Sequence, residues 1–131
     1  MTAEQERLRI SFAPDRETVT IEFLPASGAT GMITVDADQL LKFVRTLGSV
    51  RSTMVEGQPI PPLKGQSVDA VFSTEWYIEP GLMGEASQIA FQHPGFGPLG
   101  FLVPIDQVPA MLQILSDQVD EHRASKERRP N

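Results

Sequence analysis

The chain of 131 residues is 40% hydrophobic and 21% charged, with a formal net charge of −6, an ordinary globular composition that can supply a core. It has no cysteine, which excludes disulfides, thiol nucleophiles, Cys-based zinc sites and iron–sulfur clusters. The charge is uneven: residues 122–131 carry Arg123, Lys126, Arg128 and Arg129 against Glu127, leaving −9 on residues 1–121, a body that repels phosphate backbones and anionic membranes.

The segment from Met1 to Arg7 lacks the basic and apolar regions of a signal peptide, and no apolar run approaches the ~20 residues of a membrane span, so a cytoplasmic protein is expected. Leu8, Ile10 and Phe12 alternate with Arg9 and Ser11, the period of a strand that buries one face, and Pro14-Asp15 stops it. Val19, Ile21 and Phe23 repeat the pattern up to the turn Pro25-Ala26-Ser27-Gly28, and Ile33 and Val35 mark a third strand. The period then changes. Leu40, Phe43, Val44, Leu47, Val50 and Met54 share one helix face, with Asp36 or Asp38 available as cap, and the helix is expected to continue through Gly48.

Residues 55–67, VEGQPIPPLKGQS, hold three prolines and two glycines and read as a stiff connection. The same order then recurs: a β-rich stretch from Val68 to Ile78, strands around Ile89–Phe91 and Phe101–Val103, and a helix carrying Val108, Met111, Leu112, Leu115 and Val119. Pro109 falls in that helix's first turn, where proline is tolerated. A gapless shift of 68 residues pairs Ile21 with Ile89, Phe23 with Phe91, Val35 with Val103, Asp38-Gln39 with Asp106-Gln107 and Leu47 with Leu115. Helix capping accounts for both Asp-Gln dipeptides.

The expectation is an α+β fold, a tandem βββα repeat with pseudo-twofold symmetry, combining antiparallel sheet or sheets with two helices. A single domain over 1–131 would contain one unit at 7–54, the connection at 55–67, a second unit at 68–122 and a basic flexible tail at 123–131. A lone helix covers a three-stranded sheet only in part, so the two units are expected to bury one another, and free strand edges point to a homodimer.

Catalytic patterns are sparse. Gly95-Phe96-Gly97-Pro98-Leu99-Gly100 matches GxGxxG, but Gly100 runs into a strand rather than opening a helix, so a Gly/Pro hairpin turn is the expected structure and no cofactor is implied. His93 has neither the nucleophile of a triad nor the further ligands of a metal site around it. Glu75 and Glu79 would stand about 13 Å apart on one strand face, too far for a glycosidase pair. The residues left as candidates for binding a partner or ligand are Trp76 and Tyr77, adjacent on a strand and so on opposite faces, and His93 and Phe96 in the glycine-rich turn. They favour an acidic protein-binding or assembly module without catalytic machinery. A ligand carrier or small enzyme with a cleft between the units is the alternative.

Overall fold

The computed structural model describes residues 5–129. Three strands and a helix follow one another twice: β1 (Leu8–Phe12), β2 (Thr18–Phe23), β3 (Met32–Asp36) and α1 (Ala37–Met54), then β4 (Trp76–Gly81), β5 (Ala86–His93), β6 (Gly97–Pro104) and α2 (Val108–Glu127). The strands form two separate antiparallel sheets, ordered β1-β2-β3 and β4-β5-β6. The fold is therefore α+β, and chain contacts divide it into the units Met1–Ser67 and Val68–Asn131.

In the first unit the alternation of the sequence becomes a two-faced sheet. Ile21, at the centre of β2, lies opposite Ile10 on β1 and Ile33 on β3, while Val19 lies between Phe12 and Val35. Directly paired residues share a face, so these side chains make one continuous apolar surface. The reverse face is polar and cross-linked: Arg9 pairs with Glu22 through an Nη1–Oε2 contact of 3.2 Å, and the Thr20 and Thr34 hydroxyls hydrogen-bond at 2.9 Å. β3 passes into α1 without a loop. Asp36 ends the strand and caps the helix, its carboxylate accepting from the Gln39 amide at 2.8 Å while the Gln39 side chain accepts from the Asp36 amide at 3.0 Å. This reciprocal capping box satisfies two of the free donors at the helix start. Asp38 lies in the first turn, so the cap is Asp36. The helix does continue through Gly48.

The second sheet is built the same way. Ile89 lies between Ile78 and Phe101, and Phe91 between Trp76 and Leu99. The opposite face carries Tyr77, whose hydroxyl donates to Glu79 at 3.0 Å, and Gln88, whose amide donates to the same carboxylate at 3.3 Å. The entry to α2 differs from that of α1. Pro104 ends β6, a single 3₁₀ turn (Ile105–Gln107) follows, and α2 starts with no side-chain cap. Asp106 sits within that turn, so the capping role expected for it is not fulfilled.

Two sequence expectations change at element ends. The strand read from Val68 begins only at Trp76, because β5 turns back after His93 and leaves the residues before Ser73 no strand to pair with; Ser73 and Glu75 still reach across, Ser73 Oγ donating to the Gln92 carbonyl at 3.1 Å and the Glu75 carbonyl accepting from the Gln92 amide at 3.2 Å. The tail read as flexible from Arg123 is helical through Glu127, with Pro130 and Asn131 outside the described residues.

Candidate docking surface

Across the described residues only Val19 and Ala86 qualify as buried apolar side chains. The apolar face of each sheet is open along its outer strands. Ile10 and Phe12 are 59% and 73% exposed in the first sheet, and Trp76 and Phe101 are 62% and 64% exposed in the second. The helices leave theirs open as well: α1 meets its own sheet chiefly along β3, at their junction, and its stripe ends in Leu47, Val50 and a Met54 that is 72% exposed. Leu112 and Leu115 of α2 are likewise exposed.

Contiguous apolar surface rimmed by polar groups is the usual mark of an interaction face. Hydrogen bonding separates the two faces of each sheet. The Arg9–Glu22, Thr20–Thr34 and Tyr77–Glu79–Gln88 contacts all lie on the polar faces, where water is tolerated, and the opposite faces carry hydrocarbon and aromatic rings.

The four residues singled out by sequence fall at one end of the second sheet. Trp76 lies across from Phe91, and His93, two residues beyond Phe91 on β5, shares that face by the strand alternation. Phe96, in the three-residue turn between β5 and β6, stacks on the His93 ring with centroids 4.5 Å apart and planes inclined by 25°. Tyr77 is turned to the polar face, and its hydrogen bond to Glu79, reinforced by that carboxylate's charge, raises its pKa above 10.0. The structure thus brings Trp76, His93 and Phe96 to one end of the apolar face and separates Tyr77 from them.

His93 has a local task that sequence did not reveal. Its Nδ1 accepts from the Gly95 amide at 2.9 Å and from the Phe96 amide at 3.0 Å, closing the hairpin turn. An accepting Nδ1 places the proton of the neutral ring on Nε2. The GxGxxG segment forms this turn and the start of β6, with Gly97 at φ +70° and Gly100 paired to Ala90 inside the sheet, so no helix N-terminus stands behind it.

Compared with protein-family models, with curated proteins and with solved structures, the chain finds no match.

Among the described residues no three His, Asp or Glu side chains gather as a metal site. A shallow depression of about 200 Å³ beside Trp76, Tyr77, Phe91 and Pro98 is smaller than the ~300–1,000 Å³ of typical ligand clefts. Among the described residues no helix is long and apolar enough to cross a membrane.

Proposed function

We propose that the protein is an assembly module, a tandem repeat of one βββα unit that docks a polypeptide through the apolar faces of its two sheets. The observation that carries this reading is the contrast between the faces of each sheet: one is knitted by side-chain hydrogen bonds, the other exposes aliphatic and aromatic groups over three strands. Removing such a face from water is the main favourable contribution to association between polypeptides. Trp76, His93 and Phe96 extend the second face to the hairpin end, with aromatic groups of the kind that anchor interfaces.

Support for the repeat comes from register. Ile10↔Ile21 and Ile21↔Ile33 in the first sheet correspond, 68 residues on, to Ile78↔Ile89 and Ile89↔Phe101 in the second. The shift that aligns the sequences also aligns the hydrogen-bonded partners. A duplicated unit with pseudo-twofold symmetry explains both at once, whereas unrelated hairpins would have no reason to share an offset across all three strands.

Trp76, the sole tryptophan, makes the reading testable. Its emission and acrylamide quenching, with binding of an apolar dye, report whether the second face is covered in the purified protein. Coverage in an assembly, or an open face that a partner closes, is the expected result. A strictly monomeric chain with a shielded Trp76 and no dye binding would overturn the proposal.

A further inference from the structure

We infer that the polypeptide covering these faces is a second copy of the same chain, and that the copies interlock with the helices of one lying on the sheets of the other. This rests on the assembly reading above and names its partner.

The exposed area is too large for a chain on its own. The chain exposes 12139 Å², whereas its mass divided into two separate compact units would expose about 8,200 Å². The surplus, roughly 4,000 Å² per chain and shared with the exposed connection between α1 and β4 that carries Ile60 and Phe72, far exceeds the ~800 Å² per partner of a standard complex and reaches the scale of obligate, core-like interfaces, which bury about 2,000–5,000 Å² over both partners. A partner needed on that scale is needed for folding itself. A second copy is always available in the same amount as the chain that requires it.

The exposed surfaces are also complementary in kind. Each chain carries two apolar sheet faces and two apolar helix stripes, and either surface is stable only against another element. Sheets packed on sheets would leave Leu47, Met54, Leu112 and Leu115 in water; helices laid on the partner's sheets cover both kinds of surface together. The loop-free junction at Asp36, fixed by its capping box with Gln39, gives α1 no hinge on which to fold back over its own sheet.

The test uses the full chain. Light scattering and sedimentation give the mass, and thermal unfolding over a hundredfold range of concentration reads the linkage between association and folding. Cross-linking a mixture of isotopically light and heavy copies then asks whether α1 and α2 touch the sheets of their own copy or of another. A dimer, a melting temperature that rises with concentration, and light–heavy cross-links between helix and sheet residues are expected. Leu47→Asp is expected to weaken the dimer at least tenfold, and Lys42→Asp, a charge reversal on the same helix, to leave it intact. A monomer whose melting temperature ignores concentration overturns the inference. If that monomer still binds apolar dye, the assembly reading survives with a different partner; if Trp76 is shielded and no dye binds, both fall. A dimer with helix–sheet cross-links only within one copy also overturns the interlocked arrangement.

Discussion

The two sheets have the same register and opposite treatment of their edges. β1 and β3, the outer strands of the first sheet, contain no proline, whereas β4 carries Pro80 and β6 carries Pro98 and Pro104. Proline cannot donate to a neighbouring strand, so the second sheet is protected against edge-to-edge growth and the first is not. The hairpins differ too: eight residues join β2 to β3, held by the Ser27 hydroxyl and Gly28, while three join β5 to β6, held by His93. The apolar face is alike in both units; the edges, turns and helix entries vary. What the units share is thus an apolar face, and what distinguishes them is that only the second guards its edges against pairing.

The largest expected effect tests whether the shared faces are covered alike. Ile21 and Ile89 occupy the centres of the two sheets, each between two apolar partners. If both faces are closed in the assembly, Ile21→Ala and Ile89→Ala each cost about 3 kcal/mol in denaturant unfolding, the cost of a cavity in a core. Thr34→Ala, on the polar face, costs under about 1 kcal/mol because only a solvent-exposed hydroxyl bond is lost. A large loss at Ile21 with almost none at Ile89 would break the equivalence of the units and leave the second face open to water.

A smaller effect distinguishes the helix entries. Asp36→Ala removes the carboxylate that accepts from Gln39 and is expected to cost about 1 kcal/mol, whereas Asp106→Ala removes no cap and is expected to fall within about 0.5 kcal/mol of wild type. Chemical denaturation of the two variants side by side measures the difference. Equal losses would mean that Asp106 serves α2 in a way its place in the 3₁₀ turn does not reveal.

That comparison also marks what was legible in the sequence. Alternation located β1 at Leu8–Phe12, and the change of period after Val35 located α1, because both patterns follow from one buried face and need no tertiary information. The repeated Asp-Gln dipeptide does not mark the caps. A capping box requires the acceptor three residues before its Gln, which selects Asp36 for Gln39 and leaves Asp106 without that role. Val71 and Phe72 have strand-forming side chains, yet they remain outside the sheet since pairing requires a neighbour and β5 has already turned. Trp76 and Tyr77 were separable by alternation alone. The turn-closing contact of His93 and the openness of both apolar faces were not, because one depends on a local ring orientation and the other on where the helices travel after leaving the sheets.

The smallest effect concerns the polar faces, and the protein's single tyrosine makes it measurable without interference. Tyr77 stands 68 residues beyond Arg9, so a hydroxyl bonded to Glu79 in one sheet occupies the position of a guanidinium paired to Glu22 in the other. The hydrogen bond to Glu79, then its negative charge, favours the neutral phenol and raises the Tyr77 pKa above 10.0. A pKa raised on folding contributes stability that is present below the unfolded value near 10 and disappears as pH rises through the folded value. Ultraviolet titration of phenolate should therefore give a midpoint above 10.0 in the wild type, and Glu79→Ala should return it toward that value. The titration reads the second sheet alone, because the single tyrosine lies there. A midpoint unmoved by Glu79→Ala would mean that Tyr77 is held by something other than its strand neighbour, and the first candidate would then be the partner copy reaching over the edge of β4.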